Sequence, residues 1–405
     1  MNAYIARQPI LKKNLRIFAY ELLFRSNSTE GFFSDTDADQ ATSRVVMESF
    51  YSSGLDSITG GKPAFINFTS LLLQKNTATL FPKERLIIEV LESVKPTKEI
   101  VKACRALNRM GYTLALDDFI YRPELEPLIE ISKIIKFDFL LSPPEEIEYM
   151  LGQIDCKGKW LLAEKIETNE VFDCAVKMGF KLFQGYFFSQ PVTFSAKSLA
   201  PLKVNYVTLL KEMHSDNYLD YRKLAATIRN DVALSYKLLK LVNSAYFSPQ
   251  AEVQDITQAI TMIGTIEIRK WILMIALMGL CSDKPDEIVK MSMIRGRFLE
   301  NLNMKSAHVR SNESVFHTGL FSMLDVLMDM PMVSALDGIC LANDVREALI
   351  EHTGVLYDLL ELSISFERSN WDRVDELTAC LNIDTALVSV EYLNAVKWCN
   401  EIQFQ

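Results

Sequence analysis

Apolar and polar positions follow two different rhythms along the chain. In the first half, short apolar runs of strand length (IFAYELLF, AFINF, RLIIEV, YTLALDD, IIKFD, WLLAE and FKLFQGYFF) alternate with amphipathic, helix-capable segments such as DADQATSRVVMESFYSSG and TKEIVKACRALNRMG. Strands that alternate with helices imply parallel pairing and an α/β fold, because a parallel return needs a long crossover. The leading segment YIARQPILKKNLRIFAYELLF reads as two strands joined through KKN, an antiparallel hairpin that opens the domain. That extra strand brings the total to eight, the number that closes a TIM-like β/α barrel.

From about residue 200 the rhythm changes. LKVNYVTLLKEMHS, YRKLAATIRNDVALSYKLLKLVNSAYF, DITQAITMIGTIEIRKWILMIALMGL and the segments after them carry apolar residues at helical spacing, so this half is predicted to be all-α. The boundary is expected in SQPVTFSAKSLAPLK, where Pro191 and Pro201 bracket a Ser-rich stretch without periodicity. This assigns residues 1–195 to the first domain and 196–405 to the second. The most apolar segment, WILMIALMGLC at 271–281, is too short to cross a bilayer and is expected to be a core helix.

Composition narrows the partners. A chain of 405 residues with 49% hydrophobic content can build two cores. Its net charge of -9 argues against nucleic acid and against an anionic membrane face, since both reward positive charge. The seven cysteines are scattered without a CxxC pair, which argues against a disulfide framework or a zinc module. The N-terminal MNAYIARQPILKKN lacks the pattern of a signal peptide, and a cytoplasmic protein is expected.

The candidate chemistry lies at the C-terminal ends of the apolar runs, where Glu21, Asn67, Glu89, Asp117 with Asp118, Lys136 with Asp138, Glu164 and Gln184 fall. In a barrel those ends share one rim, so residues far apart in sequence meet over one opening. Six of these residues are carboxylates, and clustered like charges raise one another's pKa unless cations intervene. Lys136 alone cannot balance them. Oxygen ligands without His or Cys suit Mg²⁺ or Mn²⁺, and several around one opening suit a metal pair that activates water for attack on phosphorus. A solvated rim without any ligand is the alternative reading of the same residues.

In order along the chain, YELLFR, FINF, EVLE, LALDDF, KFD, AEKIE and QGYFFSQP resemble the successive motifs of EAL domains, the bacterial phosphodiesterases that linearise cyclic di-GMP. The resemblance covers roughly residues 1–195. It implies that Glu21, Asn67, Glu89 and Asp117 bind one metal and that Asp118 and Asp138 serve a second. By the same resemblance Lys136 and Glu164 handle the attacking water, Arg25 and Gln184 meet the nucleotide, and Glu92 supports the loop after the aspartate pair. The chain departs from the family pattern in that loop. A glycine-rich segment that orders the second metal and a dimer contact is replaced by Ile120, Tyr121, Arg122 and Pro123, residues that cannot adopt the conformations open to glycine. The name motif reads ELL, EVLE carries Leu91 in place of threonine, and AEGVE has become AEKIE, with Lys165 as a new charge. Metal-assisted hydrolysis needs its groups placed within a fraction of an ångström, so a degenerate, binding-only module is expected, with an active phosphodiesterase as the alternative.

KLLKLVNSAYFSPQAEVQDITQAITMIGTIEIRKWIL, residues 237–273, resembles the signature of HDOD domains, and GLFSMLD at 319–325 resembles a second segment of that module. Gly264 is expected to end one helix and turn the chain into the next. An HD phosphohydrolase needs His followed directly by Asp, and none of the histidines at 214, 308, 317 and 352 is. His317 is therefore read as a core or capping residue, and the helical half as a module that binds a protein partner. The whole chain resembles the EAL-HDOD proteins of the YuxH type. That implies a bacterial signal-transduction protein in which an inactive EAL module acts as sensor or scaffold for an HDOD output, as a homodimer in one form.

Overall fold

In a computed structural model of the chain, the described residues are 3–26, 54–189, 224–225, 228–229, 232–243, 247, 253–280, 284–305, 311–337, 339 and 341–402. The chain divides into two compact units, Met1–Gln190 with Phe366–Trp371, and Pro191–Ser365 with Asp372–Gln405.

The first unit is a closed eight-stranded barrel. Strands β1 (Ala3–Lys12) and β2 (Ile17–Ser26) form the expected antiparallel hairpin, with Gln8 opposite Glu21. Parallel strands follow in chain order: β3 (Ala64–Phe68), β4 (Leu86–Val90), β5 (Thr113–Leu116), β6 (Ile134–Asp138), β7 (Trp160–Glu164) and β8 (Leu182–Gln184). The barrel shuts where β8 runs antiparallel to β1, with Ile10 opposite Gln184. The run FKLFQGYFF contributes only three residues to β8, because Gly185 (φ 140°) brings the backbone against Ile166. A Cβ at Gly185 would lie 2.1 Å from the Ile166 carbonyl oxygen, so the chain turns there instead of extending.

Each strand places one buried apolar side chain on a common layer: Ile10, Ala19, Phe65, Ile87, Ala115, Ile134, Leu162 and Leu182. This is the packed interior expected of a small barrel, filled by side chains and not open as a pore. On the outside, α1 (Lys98–Arg109) is capped by Thr97, whose hydroxyl accepts from the Ile100 amide, and α2 (Asn169–Lys177) is capped in the same way by Thr168. The buried face of α1 is Ile100, Cys104 and Leu107, at the helical spacing that the sequence displays.

The second unit is helical. In it α3 (Val232–Val242) leads through Asn243 toward α4 (Ile256–Ile263), then to α5 (Thr265–Leu280), α6 (Asp286–Lys305) and α7 (Asn312–Phe321). The Asn243 carboxamide ties the α3–α4 connection shut: it accepts from the Val253 amide at 2.8 Å and donates to the Val253 and Leu239 carbonyls at 2.8 and 2.9 Å. Asp255 caps α4 by accepting from Gln258 at 3.0 Å, and Gly264 (φ 83°) ends it, as the sequence implies. Helix α5 buries Trp271 and Met274, and no helix among the described residues is long and apolar enough to cross a membrane. Lys270 is itself buried, bound to Glu300 and to Glu267 at 3.0 Å. His317 is buried with its ring beside Phe316 and Phe321, a core position.

Helices α6 and α7 cross backbone to backbone at Gly296 and Gly319. A Cβ on Gly319 would fall 2.4 Å from the Gly296 amide nitrogen, a clash that no side-chain rotation relieves. Helix propensity alone favours alanine over glycine by about 1 kcal/mol. Gly319→Ala is nevertheless expected to destabilise the helical unit by about 2–3 kcal/mol, because overpacking a tight crossing outweighs propensity. Gly354→Ala, with nothing within 4 Å and only a φ of 85° against it, should cost about 1 kcal/mol. Denaturant unfolding followed by helical dichroism checks the ranking.

Candidate site at the barrel mouth

Strand side chains alternate between faces, so two positions beyond each residue of the apolar layer the next inward side chain appears. Applying that step to Ile10, Ala19, Phe65, Ile87, Ala115, Ile134, Leu162 and Leu182 leads to Gln8, Glu21, Asn67, Glu89, Asp117, Lys136, Glu164 and Gln184. In β1, which runs the opposite way, the step is taken backwards. The structure thus stacks a polar ring on an apolar one, and all of these polar residues except Glu89 line one cavity with Asp118 and Lys165. Glu89 lies beneath, with no exposed surface.

The ring is organised around one ammonium. Lys136 is 1% exposed. Its Nζ lies 2.7 Å from Asp117 Oδ1, 2.8 Å from Glu164 Oε1 and 3.7 Å from Glu21 Oε1, and it donates to Glu89. Burial works against the ammonium, yet Glu164, Glu21, Glu89 and Asp117 together outweigh it and hold its pKa well above the ordinary lysine value. One cation does not satisfy four carboxylates. Burial, reinforced by Glu21, raises Glu89 well above the usual carboxylate range, with the attraction of Lys136 insufficient to offset it. Burial likewise pushes Glu164 up to about 8 against the pull of Lys136. Gln184 donates to Gln8 Oε1 at 3.0 Å and to Glu21 Oε2 at 2.5 Å, which aligns the two amides with the hairpin.

Four buried oxygen atoms in the ring have no donor among the described residues: Asn67 Oδ1, Glu89 Oε2, Glu164 Oε2 and Gln184 Oε1. Acceptor atoms without donors are costly to bury, and a hard cation satisfies them. Glu21, Glu89 and Glu164 each present a carboxylate oxygen within 4.8 Å of the others. The donor set, all oxygen, fits a divalent ion such as Mg²⁺ or Mn²⁺.

A second grouping joins Asp117 and Asp118 to Glu92 within the same 4.8 Å, and there Asp118 adopts a left-handed conformation (φ 37°). Burial, reinforced by Asp117, raises the Asp118 pKa against the attraction of Lys165. Asp138 stands outside both groupings. Its Oδ1 accepts from the Leu140 and Leu141 amides at 2.7 and 3.0 Å, and its Oδ2 takes the Lys165 ammonium. The segment after Phe119 has no glycine: Ile120 is exposed, Tyr121 donates to Glu126 at 3.0 Å, and Pro123 opens a short 3-10 turn. Arg25 belongs to β2, and its side chain lies outside the described residues.

Of the residues expected from sequence, Glu21, Asn67, Glu89, Asp117, Lys136, Glu164 and Gln184 share the ring, with Asp118 at its edge. Gln8 was not anticipated. A symmetric hairpin through KKN would pair Gln8 with Phe18; the observed turn and the register shift at Ile10/Leu11 set it opposite Glu21 instead. Glu92 is exposed and presents a carboxylate oxygen within 4.8 Å of those of the aspartate pair.

The HDOD domain family model matches residues 199–332. The chain is 36% identical to YuxH of Bacillus subtilis (strain 168) over 99% of each. It is 32% identical to the cyclic di-GMP phosphodiesterase CdgJ of Vibrio cholerae, over 98% of this chain and 93% of that one. Among solved structures, the manganese/cy-diGMP complex of Klebsiella pneumoniae BlrP1 is similar over 46% of this chain and 55% of its own, at 23% identity and a TM-score of 0.37.

The electrostatic arrangement has a measurable consequence in buffer free of divalent ions. Unfolded Glu164 loses its proton near 4.5 while the folded form keeps it to about 8, so between those values the native state binds more protons and stability falls as pH rises. Glu164→Gln should therefore gain stability relative to wild type as pH climbs through that window and plateau above it; Mn²⁺ should shrink the difference. Lys136→Met should cost about 3–5 kcal/mol at the alkaline end, because it leaves the carboxylates uncompensated, and less at the acidic end. Urea midpoints across the pH series check both.

Proposed function

Because the chain belongs to the EAL-HDOD proteins, we propose that it is a cyclic di-GMP signalling protein whose barrel binds the dinucleotide and whose helical half is the output. The carrying observation is the polar ring itself, with its donorless oxygens gathered beside Lys136. By the family resemblance Glu21, Asn67, Glu89 and Asp117 are the residues that would hold a divalent ion, Mg²⁺ or Mn²⁺; of these, Glu21 and Glu89 have oxygens grouped with that of Glu164 within 4.8 Å. Such an ion supplies charge neutralisation for a phosphodiester at the mouth. Lys136 keeps the ring's carboxylates in place, Gln184 orients Glu21, and Arg25 completes the nucleotide contact in this reading.

In this proposal the barrel senses and does not turn over. The Ile120–Pro123 segment cannot take glycine conformations, and Asp138 is already engaged by Lys165 and two amides. The domains divide near residue 195, the protein is cytoplasmic, and the helical module carries a protein partner, with a homodimer as one assembly. The second reading is an active phosphodiesterase. It is favoured by Lys136 Nζ at 2.8 Å from Glu164, a pair suited to handling a water, and by the name of the Vibrio relative.

Calorimetric titration with cyclic di-GMP in Mg²⁺ or Mn²⁺, followed by chromatography for the linear product, separates the readings. The sensor predicts binding heat without product, and at least about a 10-fold weaker affinity for Glu21→Ala or Asp117→Ala. Rapid linear product establishes the second reading, with Glu164→Gln abolishing it. Neither heat nor product sinks both.

A further inference from the structure

Lys165 occupies a left-handed conformation (φ 52°) that L side chains rarely adopt. It lies one residue past the end of β7, and its ammonium reaches back to Asp138, the last residue of β6. The two ends of that pair differ in environment: the Asp138 side chain is 3% exposed and that of Lys165 is 53% exposed. The lysine therefore comes from the solvent side onto a buried carboxylate. The other Asp138 oxygen is held by the Leu140 and Leu141 amides at 2.7 and 3.0 Å. Three donors thus engage the carboxylate, two amides on Oδ1 and the ammonium on Oδ2. Consistently, Asp138 belongs to neither group of side chains close enough to share an ion.

The same ammonium also attracts Asp118 and Glu164, which line the cavity beside it. Beside the buried Lys136, it adds a second positive charge where acidic groups of three strand ends converge. A tethered charge of this kind competes with dissolved ions at a high local concentration, and it repels any divalent ion that approaches Asp138.

We propose that Lys165 is a built-in cation that takes the place of a divalent ion at Asp138, so that the mouth holds one ion fewer than its carboxylates would otherwise accept. The inference rests on the mouth being a cation site, as in the proposed function, but not on the fate of the nucleotide.

The test counts ions on the full chain by equilibrium dialysis against Mn²⁺, read by elemental analysis. Lys165→Gly removes the charge and leaves a residue at ease in the left-handed conformation, so the fold should tolerate it. The variant is expected to bind one more Mn²⁺ per chain than wild type, whereas Lys165→Arg, which keeps the charge, holds the wild-type count. Asp138→Asn should leave the wild-type count unchanged and should remove the gain when added to Lys165→Gly. Equal counts for wild type and Lys165→Gly overturn the proposal, as does a wild-type ion lost with Asp138→Asn. Should Lys165→Gly fail to fold, Asp138→Asn alone decides, since an unchanged count supports the proposal and a lost ion overturns it. No ion on any variant overturns it too, together with the metal part of the proposed site. Absence of dinucleotide heat with the expected counts would instead sink only the sensor reading.

Discussion

One buried ammonium allows the rest of the barrel mouth to exist. Lys136 has four carboxylates around it and is almost wholly sealed from water. Without it, Glu21, Glu89, Asp117 and Glu164 would face one another in a low-dielectric interior, an arrangement that proteins resolve by protonation or by unfolding. With it, the ring still carries more negative charge than one lysine balances, and Glu89 and Glu164 are pushed toward their neutral forms. That residual deficit is the physical basis for proposing the ring as a cation site, since several of its buried oxygens are without donors among the described residues.

The barrel can tolerate such a ring because stability comes from the layer beneath it. Eight apolar side chains, one from each strand, pack the interior from Ile10 to Leu182. The polar layer lies two residues nearer the strand ends, where loops and not hydrocarbon complete its surroundings. Packing and chemistry are thus separated by one step of the strand repeat, and substitutions in the two layers act through different physics. Among the described residues of the helical unit the fixed points are polar and steric: the Asn243 carboxamide bridging to Val253, the Gly296–Gly319 crossing, and the buried Lys270–Glu300 pair.

Membership in the EAL-HDOD proteins and the departures from the family pattern bear on different levels. Ordered motifs identify the scaffold, and the ring that they build is assembled here. The departures include two at the edge of the mouth, the Ile120–Pro123 segment and Lys165, whose ammonium takes one oxygen of Asp138.

By itself the sequence determined the α/β barrel with its leading hairpin, the helical second half, and most of the ring. Those properties follow from local periodicity, and Glu21, Asn67, Glu89, Asp117, Lys136 and Glu164 stand at run ends whose alternation is readable residue by residue. Only the tertiary structure decided which charges meet. That Lys136 serves four carboxylates, that Gln8 joins the ring, and that Lys165 takes Asp138 depend on how the strands stagger on closure and on backbone angles at single residues. Neither is written in a side-chain pattern, because the partners are set by contacts between strands tens of positions apart.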